Sequence, residues 1–165
     1  MPGLDAQIDK ATLLDKVRSE RSRLDRLLAG FTDEQMVQPG AGGDWSVKDH
    51  LAHITWHERE VANMLRERSL EEGVGSELWD LPLQERNHTI YQSNRDRSLE
   101  DVLAESRQVY AELSELLEGL SEEDLTDPSR YKDMPDDWQP WRLIAENTYE
   151  HYHDHAEDIA LKRET

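Results

Sequence analysis

Ser46-Val47-Lys48-Asp49-His50-Leu51-Ala52-His53-Ile54-Thr55-Trp56-His57-Glu58-Arg59-Glu60-Val61-Ala62-Asn63-Met64-Leu65 decides how the rest of the chain is read. Ser46 followed by Asp49 is a capping-box start. Val47, Leu51, Ile54, Val61 and Leu65 then return at helical spacing, which predicts a helix from Ser46 to about Arg68 with one apolar stripe. The same helix carries His50, His53 and His57.

Working outward, similar starts recur at Thr12/Asp15, Thr32/Gln35, Ser98/Asp101 and Ser121/Asp124. Leu14, Val17, Leu24, Leu27 and Leu28 predict a long helix ending at Gly30, and Leu99 to Leu117 predict another ending at Gly119. A fourth long helix is expected from about Trp141 to Lys162, with Ile144, Thr148, Tyr152 and Ile159 in the core. A shorter helix is expected over 81–95, after the Gly73-Val74-Gly75 break. No strand-like alternation competes, so the expected fold is all-α: a four-helix bundle with short extra helices.

The chain also repeats. Leu24, Leu27, Leu28, Gly30, Thr32 and Pro39 match Leu113, Leu116, Leu117, Gly119, Ser121 and Pro128 at an offset of 89. After one loop of different length the offset is 93, pairing Trp45, Leu51, Ala52, Thr55 and Trp56 with Trp138, Ile144, Ala145, Thr148 and Tyr149. Two halves related by a pseudo-two-fold axis follow, and Glu146 takes the place of His53.

The chain has 165 residues and 19.2 kDa, the size of one domain (1–165, core about 10–162). Its 19 Lys+Arg against 37 Asp+Glu give a net charge of −18. A surface so acidic predicts no nucleic-acid partner and no anionic membrane partner. Having no cysteine excludes a disulfide framework, a protein thiolate and Cys-ligated zinc. Met1–Asp5 has no signal-peptide character and no apolar run spans a bilayer, so a soluble cytoplasmic protein is expected. The run Pro39-Gly40-Ala41-Gly42-Gly43 lacks the Lys-Ser/Thr of a phosphate cradle.

Six of the seven histidines fall on the two helices that the repeat makes equivalent. His151 and His155, four apart, project from one side of the last helix, and His53 and His57 share that spacing. Two imidazoles from one helix and a third from its neighbour would give a three-histidine metal site with open positions. The alternative is histidines that titrate at the surface or bond to buried carbonyls. His153 lies about 200° round its helix from its neighbours and is expected to face solvent. Glu146 reads either as a solvated carboxylate or as a partner or general base for the site. Glu58 and Glu60 are expected to face water. The tryptophans read mainly as core residues, with Trp79 as a lid or contact.

Trp45-Ser46-Val47-Lys48-Asp49-His50-Leu51-Ala52-His53, with His151-x-x-x-His155 downstream, resembles the DinB/YfiT-like superfamily of four-helix-bundle metalloenzymes. That resemblance implies a metal triad of His53, His151 and His155 holding zinc or nickel, with His50 and His57 as non-ligands near it; Trp56 and Tyr149 are candidates for the pocket wall, and Glu146, which the repeat aligns with His53, is the candidate catalytic residue. It further implies thiol-dependent S-transferase, isomerase or hydrolase chemistry using a low-molecular-weight thiol cosubstrate, a stress-response setting and, by analogy, a homodimer. The chain departs from many members in reading His155-Ala156-Glu157-Asp158 where they continue His-Arg-Gly-Gln. Glu146-Asn147-Thr148-Tyr149-Glu150-His151-Tyr152 is instead similar to the ClbS/DfsB-like branch, some of whose members lack the triad. The alternative is therefore a small-molecule (toxin) binding or resistance protein, metal-free or with a vestigial site. A structural protein dimerising through a bundle face would have no pocket near the histidines.

Overall fold

The computed structural model describes residues 7–40 and 45–163; Met1–Asp5 and the glycine-rich Ala41, Gly42 and Gly43 lie outside them. Among the described residues eight helices follow in order: α1 (Lys10–Leu28), α2 (Asp33–Val37), α3 (Val47–Glu67), α4 (Leu83–Asn94), α5 (Leu99–Glu118), α6 (Glu122–Thr126), α7 (Pro140–Asn147) and α8 (Tyr149–Arg163). Single 3-10 turns lie at Glu77–Asp80 and Pro128–Arg130. No strand occurs among the described residues, only one isolated bridge between Ser69 and Lys132.

Local chemistry sets the starts. Thr32, Ser46 and Ser121 each accept from the amide three residues on, while Gln35, Asp49 and Asp124 return the bond to the cap amide. α1 begins three residues earlier than Thr12 predicts, because the Asp9 carboxylate accepts from the Thr12 amide at 2.7 Å and caps the helix itself. Gly73 marks more than a break. A Cβ there would come within 2.1 Å of the Glu60 carbonyl, so the connection after α3 lies directly on that helix's backbone.

Element boundaries follow the repeat. Moved by 89, α1 falls on α5 and α2 on α6; moved by 93, the start of α3 falls on the start of α7. α1 packs mainly on α8, and α5 on α3, the pairing a pseudo-two-fold axis requires. Leu13, Val17, Leu24, Leu51, Ile54, Leu113, Leu117, Ile144 and Ile159 meet in the shared core. Burying this apolar surface is the main force holding the bundle.

One expected helix is two. The segment 141–162 breaks at Thr148, whose φ of −124° and ψ of −103° leave the helical region. The buried Thr148 hydroxyl donates to the Ile144 carbonyl at 2.6 Å, and Asn147 Nδ2 donates to the Leu143 carbonyl at 2.8 Å. The Thr148 amide turns to the Ala145 carbonyl at 3.3 Å, and the Thr148 hydroxyl takes the Ile144 carbonyl that this amide would have used. Among the described residues, no helix is long and apolar enough to cross a membrane.

Candidate metal centre

Five imidazoles meet between α3 and α8. His50, His53 and His57 come from α3, His151 and His155 from α8, and all line a cleft of about 920 Å³. The His53 ring centre is 5.0 Å from that of His151 and 4.9 Å from that of His155. His53, His151 and His155 each offer one nitrogen within 4.8 Å of the other two. A second such group, His50, His155 and Asp158, shares His155, but its carboxylate is exposed.

Burial keeps these rings neutral. It pushes His50 down to about 3, with the nearby His155 adding to the effect. Burial, then His57, takes His53 to about 2. His57 falls to about 4, again through burial. His151 lies well below, and His155 below, the ordinary imidazole value for the same first reason. Neutral imidazoles present lone pairs, the form in which histidine binds a metal.

The donor set fits a divalent ion. His151 Nε2 and His155 Nε2 are 3.0 Å apart. Two nitrogens bonded to one ion at about 2.0–2.1 Å, at neighbouring positions, are separated by about that much. His53 Nδ1 and His151 Nδ1 are buried without a hydrogen-bond partner. His50 Nδ1 contacts His155 Nδ1 at 2.8 Å, on the side of the ring away from the Nε2 that faces His151. Trp45 packs on His53 at 5.0 Å and lies parallel to His155 at 6.4 Å, walling one side. Trp56 and Trp79 meet His57 edge-on at 4.9 and 5.4 Å. His153 is exposed beside Arg23 and Glu20.

Two expected site residues stand elsewhere. Glu146 is exposed and, with Tyr149, lines a separate cleft of about 410 Å³ that also contains Lys16 and Trp141. The reason is helical phase. The residue sharing a face with His151 is four positions earlier, Asn147, and the break at Thr148 follows immediately. Asn147 Oδ1 lies 2.7 Å from His57 Nδ1. An Asn147-x-x-x-His151-x-x-x-His155 spacing was the sequence signal for it. Trp138, the counterpart of Trp45, is 41% exposed and covers no such site. Glu58 does not face water: it is fully buried between Arg21, at 2.7 Å, and Tyr152. Burial pushes Glu60 up to about 7, so it too is not a simple solvated carboxylate.

Solved structures share this architecture. A protein from Streptococcus pneumoniae superposes with a TM-score of 0.80 at 16% identity, covering 99% of this chain and 94% of its own. DfsB, a sibling lethal factor precursor, gives 0.79 at 19% identity, covering 96% and 97%. The colibactin self-resistance protein ClbS, crystallised in complex with double-stranded DNA, gives 0.76 at 20% identity, covering 95% and 96%. No curated protein matches. The ClbS complex overturns the expectation that acidity excludes nucleic acid. Net charge is a sum over the whole surface, whereas contact is made by one patch and by neutral donors as well as cations. The model of the DinB superfamily matches residues 16–159, nearly the whole bundle and all five cleft histidines, and the chain belongs to that superfamily.

Proposed function

We propose that this chain is a metal-dependent protein acting on a small molecule, with zinc or nickel held by His53, His151 and His155. The observation that carries the reading is the convergence of those three neutral imidazoles in the lining of one cleft. When bound, such an ion acts as a Lewis acid that lowers the pKa of a thiol or water, supplying a nucleophile near neutral pH. With no cysteine in the chain, a thiol nucleophile comes from a cosubstrate, and S-transfer or isomerisation is the leading chemistry, with hydrolysis using the same parts. His50 orients His155. Trp45 and the Trp56–Trp79 pair keep water from the ring faces. The cleft has the volume of a small-molecule site.

A second reading draws on ClbS and DfsB: capture of a toxic small molecule without catalysis, with double-stranded DNA as a partner brought in from ClbS. Metal separates the two. Calorimetric titration of chelator-stripped protein with zinc and with nickel should show about one tight site per chain, weakened about 100-fold or more in His53→Ala, His151→Ala or His155→Ala. Unchanged affinity in these variants overturns the metal reading. A thiol-cosubstrate screen on the loaded protein then tests the chemistry.

A further inference from the structure

His57 is held differently from the three converging imidazoles. Its Nδ1 lies 2.7 Å from Asn147 Oδ1, and Asn147 Nδ2 donates to the Leu143 carbonyl at 2.8 Å. A carbonyl only accepts, so the amide nitrogen faces Leu143 and the amide oxygen faces His57. That oxygen also only accepts, so the His57 proton sits on Nδ1 and Nε2 carries a bare lone pair. Nε2 is buried and meets no partner. The ring lines the cleft at 4.2 Å from His151 and 4.6 Å from His53, yet stands outside the set of three that converges. Trp56 and Trp79 fix its plane from two sides. A buried acceptor left bare is destabilising until a donor meets it.

We infer that Nε2 of His57 accepts a hydrogen bond from the molecule bound in the cleft, and that Asn147 is the positioning residue that fixes its tautomer. The ligand group facing it is therefore a donor: a hydroxyl, an amide N–H or a water. This rests on the proposed reading of the cleft as a ligand site. It moves the acceptor role from Glu146, which lines the other cleft, to an imidazole beside the metal residues.

The tautomer is read by nitrogen-15 imidazole spectra of the metal-free protein. Wild type should show His57 protonated on Nδ1 and bare on Nε2. Asn147→Leu should shift the ring toward the Nε2–H form, and Asn147→Asp, which keeps the acceptor, should restore the wild-type pattern. An Nε2–H tautomer in wild type, or a pattern unmoved by Asn147→Leu, overturns the assignment. If Asn147→Leu fails to fold, the wild-type and Asn147→Asp spectra decide. A second arm titrates the cobalt(II)-loaded protein with N-acetylcysteine and follows the thiolate-to-metal band. His57→Phe should weaken N-acetylcysteine, whose amide N–H is the donor left once its sulfur binds as a thiolate, about tenfold, the scale of one lost hydrogen bond, while cobalt affinity stays within about twofold. Unchanged thiol affinity overturns the acceptor role. A wild-type protein that binds no cobalt defeats the metal reading instead, and the metal-free spectra still uphold or overturn the assignment of His57.

Discussion

The phenol of Tyr152 donates to Glu58 Oε2 at 2.7 Å, and each residue is the immediate neighbour of a cleft imidazole, His151 on one side and His57 on the other. Arg21 Nη1 donates to the same oxygen at 2.7 Å and its Nη2 to Ser106 Oγ at 2.8 Å. Arg21 also stacks over Tyr110 at 4.4 Å. One buried network thus ties α1, α3, α5 and α8 together directly behind the histidines. Burial pushes the Glu58 carboxyl up, and Arg21 with the Tyr152 hydroxyl opposes that shift.

Removing one partner strands the other. Arg21→Met leaves Glu58 buried and unpaired, and should cost about 3–5 kcal/mol in urea unfolding. The double variant Arg21→Met/Glu58→Leu should recover much of that loss, since an apolar replacement of the whole pair leaves no stranded charge. A cost below about 1 kcal/mol for Arg21→Met alone would contradict the network's role.

The metal-free protein should lose stability in acid. Unfolded, each cleft imidazole takes a proton near the ordinary value of 6.5, whereas folded His57 refuses one until about 4, His50 until about 3 and His53 until about 2. Between about pH 6.5 and 4 the unfolded state therefore holds more protons, and stability falls as pH falls. The slope is about 1.4 kcal/mol per pH unit for each such imidazole. Urea unfolding from pH 7 to 5 checks this, and His53→Gln should reduce the slope by about one proton. A flat profile would mean that the rings are not buried in their neutral form.

Gly73→Ala should destabilise the connection that carries Trp79 against His57. The added Cβ would overlap the Glu60 carbonyl and the Met64 backbone nitrogen at 2.1 and 2.6 Å, and backbone yields little. A loss of about 1–3 kcal/mol is expected, with faster amide exchange over 69–82. Wild-type exchange in that segment would show that the close approach is not real.

Glu146→Gln should leave zinc affinity within about twofold, because the carboxylate lines the other cleft. A tenfold loss by calorimetry would return Glu146 to the metal site.

What could be read in advance was whatever depends on local chemistry. Ser46, Ser121 and Thr32 announce their helices because a cap is satisfied within three residues. The convergence of His53, His151 and His155 was legible through helical spacing and the superfamily resemblance. The rest depended on partners distant in sequence. Glu58 reads as a surface carboxylate until Arg21, 37 residues away, and Tyr152, 94 residues away, are brought to it. The repeat placed Glu146 opposite His53, but repeats preserve helix order better than side-chain phase, and the Thr148 break with Asn147 before it defeated the alignment. Net charge misled on nucleic acid for a similar reason, being a property of the whole chain applied to one surface.

X-ray absorption of the zinc-loaded protein is the most direct measurement. Three imidazoles on one ion predict a nitrogen/oxygen shell at about 2.0–2.1 Å with outer-shell scattering from three histidine rings, dropping to two in His155→Ala. A shell of oxygens without ring scattering, or a spectrum unchanged by His155→Ala, would place the ion elsewhere and contradict the account.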